Sequence, residues 1–348
     1  MINSTDNSNN DGFASVPAIR QYMQQAEASN VDCKAMLAHA NIDPQVLLDN
    51  NSHISFNEME KLLASLITAS NDSCFGLHSA RFVEPASYSV LGYISMNCST
   101  LRETLANTSI FEKIVGDMGR SSTNIKNGIV TQSWDCNFTD PIIRRNVIEN
   151  VLGSWIVYLR NFAHLDTTLA DNIAFEHDAP KNPELLKDYT DLFGCDVLFN
   201  QNVSGIQFKE NLLDIALPQA DKKLLKALLE HATQLLSDID RDQPISVRVK
   251  NLLRLMLKTG EPSSSQIAEK LYMSSRTLQR KLSAEGTHYT TLLSDVRLEL
   301  ALHYIENTSL SLDQIAYELS YTEARSFYRS FKQWTGRTAG SYRTETTD

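Results

Sequence analysis

Six cationic side chains in the last third of the sequence fall on two short segments that could bind nucleic acid. They are Arg276, Arg280 and Lys281 in the first segment, and Arg325, Arg329 and Lys332 in the second. Arginine can donate two hydrogen bonds to O6 and N7 of guanine, and lysine can hold a phosphate. Any one charged residue on a helix usually just faces solvent, so a nucleic-acid site can be predicted only if the surrounding sequence also indicates one.

That pattern is an internal repeat. The sequence QIAEKL at residues 266–271 recurs as QIAYEL at residues 314–319, 48 positions later. A short break and a second helical pattern follow each copy, at residues 276–282 and 325–331, which are 49 positions apart. The second break is therefore one residue longer. The repeat predicts two helix-turn-helix (HTH) units, each ending in a basic helix that could enter a major groove.

Capping residues predict where the helices of each unit begin. Ser263 with Gln266, and Ser311 with Gln314, fit the capping box, in which each side chain bonds a backbone N–H of the other residue. The predicted caps of the two basic helices are Ser274 and Thr322. Between the units, apolar residues at helical spacing predict one linker helix from about Thr290 to Glu306.

The net charge of −10 argues at first against a polyanionic partner. Residues 1–240 carry 17 Lys and Arg against 30 Asp and Glu, whereas residues 241–348 carry 15 against 12. Charge attraction is screened over roughly 10 Å, so a basic face on one domain can bind DNA although the whole chain is acidic.

Residues 245–343 closely resemble the carboxy-terminal DNA-binding domain of the AraC/XylS family of transcription regulators. The resemblance rests on IAEKLYMSSRTLQRKLSAEG, on the linker helix with Val296-Arg297-Leu298, and on IAYELSYTEARSFYRSFKQWTGRTAGSYR. The family usually has glycine at the position of Ser320 and proline at that of Ala339. If the turn at Ser320 needs positive φ, the serine costs about 1 kcal/mol and loosens the second unit.

The resemblance implies a bacterial regulator, more often an activator, that binds promoter DNA and recruits RNA polymerase. The base-reading candidates by position are Arg276, Thr277 and Arg280, then Ala324, Arg325, Ser326 and Arg329. Ala324 could contact only a thymine methyl group. The full predicted interface is Ser274, Arg276, Thr277, Gln279, Arg280 and Lys281 in the first unit, and Thr322, Ala324, Arg325, Ser326, Arg329 and Lys332 in the second.

The preceding part of the chain predicts an α+β domain over residues 15–218. Helical patterns occur near residues 17–28, 56–70, 100–115 and 144–162. Strand patterns occur at residues 129–134, 173–177, 195–199 and 205–208. Residues 175–218 resemble the arabinose-binding-like domain that one branch of the same family carries, which implies a domain that senses a small organic effector and self-associates.

Aromatic residues of this domain could line an effector pocket, with an arginine meeting an acidic ligand. The candidates are Trp134, Trp155, Tyr158 and Phe162, with Arg144 or Arg145. Aromatic residues at helical spacing more often form core, and that alternative stays open.

Residues 219–244 predict a connecting helix and linker. Leu225, Leu228, Ala232 and Leu235 have the 3,4,3 spacing of a coiled-coil seam over about two heptads. Pairing in a homodimer and packing against the helix's own domain are both compatible with this spacing. The polar residues 238–244 predict the domain boundary, which gives a double-HTH domain over residues 245–348.

Membrane, export and catalytic signals are absent from the sequence. Residues 1–14 are polar and predict a disordered tail, and the longest apolar run is well short of the roughly 20 residues of a membrane span. We therefore expect a cytoplasmic protein. Nucleotide-binding, nucleophile-elbow and zinc-protease motifs are missing, so neither enzyme activity nor a cofactor is predicted.

Two rival functions remain on sequence grounds. One is an alkyl-transfer DNA repair protein fused to a DNA-binding module, which would need zinc and a reactive cysteine. The cysteines of this chain are scattered, and we expect them to be reduced and structural. They are Cys33, Cys74, Cys98, Cys136 and Cys195. A metal site at His164, His177, Asp166 and Asp178 is also disfavoured. The second rival is a DNA-binding regulator without an effector.

Overall fold

The computed structural model of the protein describes residues 12–162, 170–240, 243–257, 260–308 and 310–347. The chain folds as two compact domains, divided in the sequence between Ala232 and Thr233. The N-terminal domain consists mainly of residues before this division, and the C-terminal domain mainly of residues after it. Most of the predicted tail, and His164 and Asp166, lie outside the described residues.

The N-terminal domain combines helices with short strands. Its helices are α1 (Val16–Ala28), α2 (Cys33–His39), α3 (Phe56–Ser70), α4 (Phe75–Ser79), α5 (Val90–Asn97), α6 (Leu101–Phe111), α7 (Pro141–Phe162), α8 (Leu186–Phe193) and the first part of α9 (Lys222–Ile239). Its strands are β1 (Phe13–Ser15), β2 (His53–Ser55), β3 (Gly119–Lys126), β4 (Ile129–Cys136), β5 (Asn172–Ala174), β6 (Asp196–Leu198) and β7 (Gly205–Lys209).

Five of the strands form one mixed sheet in the order β3-β4-β7-β5-β6. Strand β7 is antiparallel to β4 and to β5, whereas β5 and β6 are parallel. Strands β1 and β2 form a separate antiparallel pair. The predicted α+β class of the N-terminal domain is confirmed.

Several element boundaries differ from the prediction. Phe13 and Ala14, predicted in the tail, form β1 instead, because Ala14 is fully buried against the rest of the domain. The helix predicted to reach residue 115 ends at Phe111 and continues as a 3-10 turn, Glu112–Ile114. Strand β3 was missed because its sequence, GRSSTNIK, is polar, and it lies at the edge of the sheet with alternate residues exposed.

The C-terminal domain is helical throughout its described part. After α9 it contains α10 (Ile245–Met256), α11 (Ser264–Lys270), α12 (Ser275–Ala284), α13 (Tyr289–Asn307), α14 (Leu312–Glu318), α15 (Ala324–Thr335) and α16 (Ala339–Thr347). Helix α13 is the predicted linker helix. Its Leu292, Leu293 and Val296 belong to one apolar core with α10–α12, and its Ala301 and Ile305 belong to a second core with α14–α16. One helix therefore supports both HTH units.

The connecting helix belongs to both domains. Gln234, Ser237 and Asp240, at its end, bond to Tyr272, Arg248 and Asn251 of the C-terminal domain. These bonds extend that domain upstream of the predicted boundary at residue 245. Leu225 and Ala232 of the predicted coiled-coil seam are buried within the single chain, and Leu228 and Leu235 are half-buried. The structure thus favours packing within the chain over pairing through this seam.

Candidate nucleic-acid interface

The two HTH units share one turn geometry. In the first unit, the N–H of Met273 donates to the carbonyl of Ala268, and in the second the N–H of Tyr321 donates to the carbonyl of Ala316, both at 2.9 Å. These bonds define a Schellman motif, whose first residue beyond the helix has positive φ. That residue is Tyr272 (φ 54°) in the first unit and Ser320 (φ 59°) in the second. The positive φ expected at Ser320 is confirmed.

Both first helices begin with the predicted capping box. Ser263 and Gln266 bond reciprocally at the start of α11, and Ser311 and Gln314 do so at the start of α14. Each box satisfies two backbone N–H groups that the helix itself leaves unpaired. The repeat in sequence is therefore a repeat in local hydrogen bonding.

The second helices are capped differently. Ser274 caps α12 by accepting a hydrogen bond from the N–H of Thr277, as predicted. The prediction of Thr322 as the cap of α15 is wrong, because the residue before α15 is Glu323, which forms no side-chain cap bond. The turn of the second unit is one residue longer, so the position equivalent to Ser274 is 323. The offset of 49 in the repeat was the signal that could have identified it.

Buried apolar residues fix which face of each basic helix points outward. Leu278 and Leu282 of α12 lie in the first core, and Phe327 and Phe331 of α15 lie in the second. All four side chains are no more than 1% exposed. Side chains on the opposite side of each helix must project away from the cores, because side chains four apart share one helix face.

The projecting residues include all six cations named above. Arg276, Arg280 and Lys281 on α12, and Arg325, Arg329 and Lys332 on α15, are all exposed. Within the described part of the chain, none of the six forms an ion pair. Arg329 donates only a long hydrogen bond, 3.4 Å, to Ser326. These side chains are free to bind an anionic partner.

Other cations of the same domain are already neutralised. Lys250 lies 2.8 Å from Asp295, and Arg254 lies 2.7 Å from Glu299. Both pairs join α10 to α13 rather than facing a partner. In contrast to these two, the exposed cations of α12 and α15 are available for phosphate contacts.

The remaining predicted interface residues fall around these cations. Exposed positions are Ser274, Gln279 and Thr322, and half-buried positions are Thr277, Ala324 and Ser326. The half-buried residues occupy the first turn of each helix, the part that reaches base edges in HTH proteins. The structure therefore brings the predicted residues of each unit together on one short helix.

A buried arginine joins the two halves of the domain. Arg297 of α13 is 8% exposed, and its guanidinium donates to the carbonyl of Leu319 at 3.1 Å and lies 3.1 Å from the Glu261 carboxylate. The guanidinium also stacks 4.3 Å from the ring centroid of Tyr321. Ser320 donates to the carbonyl of Leu257 beside it. The turn of the second unit is thereby fastened to the helix that supports the first.

Each basic helix is held by a further polar contact. The Glu285 carboxylate, at the end of α12, accepts the N–H groups of Ile245 (2.7 Å) and Ser246 (2.9 Å). Burial opposes ionisation of Glu285, but the bonds from Ser246 and Ile245 outweigh it and lower its pKa. In the second unit the Tyr328 hydroxyl donates to Asp313, and this bond raises the pKa of Tyr328 to about 12.

The predicted effector residues of the N-terminal domain are only partly brought together. Trp155 and Tyr158 of α7 line a cavity of about 110 Å³ between α5, α6, α7 and the sheet. Trp134 is 8% exposed but lies elsewhere on β4, beside Gly119, where an added Cβ would come within 2.4 Å of the indole. The side chain of Phe162 lies outside the described residues.

Neither predicted arginine lines this cavity. Arg144 lies 3.0 Å from Glu176 and also donates to the carbonyl of Cys136. Arg145 donates to Glu149 at 2.7 Å and to the Tyr189 hydroxyl at 3.0 Å. The expectation that one of them meets an acidic ligand in this pocket is wrong, because both are held by protein acceptors from distant segments.

The cysteines show no sign of activation. All five are free thiols. Burial raises the pKa of Cys74 to about 12, and that of Cys136 and of Cys195 to about 11. A thiol with such a pKa carries little thiolate near neutral pH and is a poor nucleophile. Among the described residues, no cluster of three or more His, Cys, Asp and Glu could hold a metal ion.

Within the described ranges, no helix is both long enough and apolar enough to cross a bilayer.

Two capped HTH units on one supporting helix, each with an unpaired basic face, define a DNA-binding protein of the double-HTH class. Comparison with known families agrees. The model "Arabinose-binding domain of AraC transcription regulator, N-term" matches residues 31–217, more than half of the chain, and a "Helix-turn-helix domain" model matches residues 267–345. The chain belongs to the AraC family of transcription regulators, and it is a DNA-binding regulator rather than an enzyme.

Individual relatives span different shares of the chain. The "Ornithine utilization regulator" of Pseudomonas aeruginosa is 24% identical over 325 residues, which cover 90% of this chain and 91% of that one. "HTH-type transcriptional regulator VirS" of Mycobacterium tuberculosis is 34% identical over 157 residues, 44% of this chain and 45% of the other. The crystal structure of CdpR from P. aeruginosa is 20% identical, covers 93% and 98% of the two chains, and aligns with a TM-score of 0.46.

Proposed function

We propose that this regulator reads two successive major-groove faces of a promoter with α12 and α15, under the control of a small organic effector in the N-terminal domain. The main support is the set of six exposed cations on these two helices, none of which forms an ion pair with a described residue. Major-groove faces recur about 34 Å apart along a duplex, so a chain with two recognition helices can bind two successive faces. We call α12 and α15 the two readers.

Within each reader we assign roles by chemistry and position. Arg276 and Arg325, in the first turns of their helices, take guanine O6 and N7, with Thr277 and Ser326 beside them. Lys281 and Lys332 lie further along and contact phosphates. Ala324 is too short for a hydrogen bond to a base edge and would pack against a thymine methyl.

The experiment that tests these roles begins with the full-length protein and a random-sequence duplex library. Selection should return sites in which two short motifs are separated by about one helical turn. Arg276→Ala should relax the base preference in one motif and Arg325→Ala in the other. If the selected sites show a single motif, or if either variant keeps the full preference, the assignment of two readers is wrong.

Effector control is supported by the family of the N-terminal domain and by the cavity in it. A ligand that binds the cavity would shift the protein between states that differ in DNA affinity, and DNA would change the ligand affinity by the same factor. The rival without an effector predicts a DNA affinity that no ligand of the N-terminal domain changes. Measuring operator affinity with and without a bound ligand separates the two.

We further propose activation through recruitment of RNA polymerase in the bacterial cytoplasm, where promoter DNA lies, and self-association of the N-terminal domain. Both follow from the family rather than from a surface on this chain. Self-association would not use the stripe on α9, since Leu225 and Ala232 are buried within one chain. In vitro transcription with purified polymerase tests the first proposal, and light scattering of the full-length protein tests the second.

A further inference from the structure

The cavity of the N-terminal domain carries information about the ligand it would take. Its wall is formed by side chains from α5, α6, α7, β4 and β7, with no Lys, Arg, His, Asp or Glu among the described lining residues. Leu91, Leu105, Ile156 and Phe208 are representative of this lining. A cavity of about 110 Å³ is comparable to the roughly 150 Å³ apolar cavity that holds benzene in another protein.

Four of the five hydroxyl groups of the lining are already engaged. Ser95 donates to the carbonyl of Leu91 at 2.9 Å, and Thr104 and Thr108 each donate to the carbonyl four residues earlier. Tyr158 donates to the carbonyl of Gly92 at 2.6 Å. Four hydroxyl protons are thus held by the protein, and the buried Tyr88 hydroxyl has no partner among the described residues. One open hydroxyl offers a sugar little replacement for the water that its several hydroxyl groups would lose.

Besides Tyr88, two polar groups of the lining keep a donor. Gln132 of β4 is 4% exposed, and its Oε1 accepts from Thr123 at 2.5 Å. Its amide nitrogen forms no hydrogen bond with any described residue, and neither does the indole N–H of Trp155. Both groups can only donate, so they suit a ligand that presents an acceptor such as a carbonyl oxygen.

Charge complementarity excludes ionic ligands from this site. A carboxylate or an ammonium group would lose its hydration in an apolar pocket that supplies no opposite charge. The nearest predicted cationic partners, Arg144 and Arg145, are bound to Glu176 and Glu149 and do not line the cavity. The pocket therefore favours neutral, largely apolar molecules over charged acids and amino acids and over sugars with many hydroxyl groups.

We propose that the effector is a neutral, largely hydrocarbon molecule of about one aromatic ring or an equally short chain, with a single acceptor group held by Gln132. This inference rests on the proposed effector control and adds the chemical class of the effector. It differs from what the name of the arabinose-binding domain family would suggest, because the wall lacks the several polar partners that a sugar needs.

The test uses four probes of related size with the full-length protein. They are methyl benzoate (neutral, with an acceptor), ethylbenzene (neutral, without one), benzoate (charged) and L-arabinose. Binding is followed by Trp155 fluorescence and by the unfolding temperature. We expect methyl benzoate to bind best, ethylbenzene roughly 3- to 10-fold more weakly for want of one hydrogen bond, and benzoate and arabinose more weakly still.

Two variants on α6 provide the matched control. Thr108→Phe should fill the cavity and abolish methyl benzoate binding, whereas Ser109→Phe, exposed on the same helix, should leave it unchanged. Gln132→Leu should abolish the preference for methyl benzoate, so that methyl benzoate and ethylbenzene bind with about equal affinity. Unchanged DNA affinity of each variant without ligand shows that it is folded.

The outcomes separate the ligand class from effector control. Failure of methyl benzoate to bind, equal binding to Thr108→Phe, or tighter binding of benzoate or arabinose in the cavity would overturn the proposed class. In the last case effector control would still stand. Cavity binding of methyl benzoate supports the class, and if that binding left DNA affinity unchanged it would count against effector control alone.

Discussion

The two HTH units are built on the same short sequence but are stabilised in different ways. In the first unit, Ser274 caps the basic helix, and Tyr272 occupies the positive-φ position with its side chain 78% exposed. In the second unit the basic helix has no side-chain cap, and Ser320 occupies the positive-φ position. The Ser320 hydroxyl donates to the Leu257 carbonyl, and its carbonyl accepts a hydrogen bond from Arg297. The basic helix of the first unit therefore starts from a local cap, whereas the turn of the second unit depends on contacts with Leu257 and with the linker helix.

The comparison teaches that a repeated sequence signature predicts a repeated geometry without predicting what holds it. The Schellman turn recurs because the helix ends at Leu271 and Leu319 are equivalent. The contacts around the turn come from other parts of the chain, so they need not recur. Substitutions at equivalent positions should therefore have unequal effects.

The largest effect is expected from Arg297→Ala. The change removes a buried cation that binds the Leu319 carbonyl, Glu261 and the ring of Tyr321, and should lower the free energy of unfolding by about 3 kcal/mol. Hydrogen exchange with mass spectrometry should show faster exchange in α14 and α15 than in α11 and α12. Arg297→Lys keeps the charge but not the planar fork, so its loss should be smaller. Equal acceleration in both units would show that the second does not depend on this residue.

The next effect concerns DNA rather than stability. Arg276→Ala and Arg325→Ala should each weaken binding to a selected site by about 1–3 kcal/mol, while the stability changes by less than about 0.5 kcal/mol. Fluorescence anisotropy measures the first quantity and thermal unfolding the second. Arg254→Ala removes the same charge from the Glu299 pair and should have a much smaller effect on affinity. Loss in only one of the two readers would mean that one unit alone reads bases.

A smaller difference is expected at the helix caps. Ser274→Ala should cost about 1 kcal/mol because it leaves the N–H of Thr277 without its partner. Glu323→Ala removes no cap bond, so it should change stability by less than about 0.5 kcal/mol, through the helix dipole alone. Local hydrogen exchange at the start of α12 and of α15 measures each effect. Equal losses would contradict the difference in capping.

The smallest difference should have opposite signs in the two units. Tyr272→Gly relieves an unfavourable backbone conformation and loses only a solvent-exposed hydrogen bond from its hydroxyl to Gln234, so it should stabilise the domain by about 0.5 kcal/mol. Ser320→Gly gives the same relief but removes the hydrogen bond to the Leu257 carbonyl, so a loss of about 0.5 kcal/mol is expected. Chemical unfolding followed through Trp334, in a Trp134→Phe and Trp155→Phe background, measures both. A gain at Ser320 would show that its hydroxyl contributes nothing.

Local signals in the sequence predicted the C-terminal domain well. The capping boxes at Ser263 and Ser311 and the cap at Ser274 depend on residues three apart, so they can be read without the fold. The error at Thr322 came from placing the cap by residue type, although the longer second turn moved the helix start to Ala324.

Long-range contacts were invisible to the same reasoning. Arg144 and Arg145 resembled ligand-binding residues because their acceptors, Glu176 and Tyr189, lie more than 30 positions away in the sequence. Strand β3 has a polar sequence and lies at the edge of the sheet, so its place beside β4 could not be predicted from apolar alternation. The charge of α12 and α15 was visible in the sequence, but the absence of ion pairs there could be established only from the structure.

The most direct test of the account is the salt dependence of DNA binding by the full-length protein. Each of the six cations of α12 and α15 should displace bound counterions from the duplex, whether it lies against a phosphate or a base edge. The slope of log K against log salt should therefore be about −5. A variant with all six changed to glutamine should keep its unfolding temperature and lose most of this slope. A folded variant that kept the full slope would place the DNA on another surface and contradict the account.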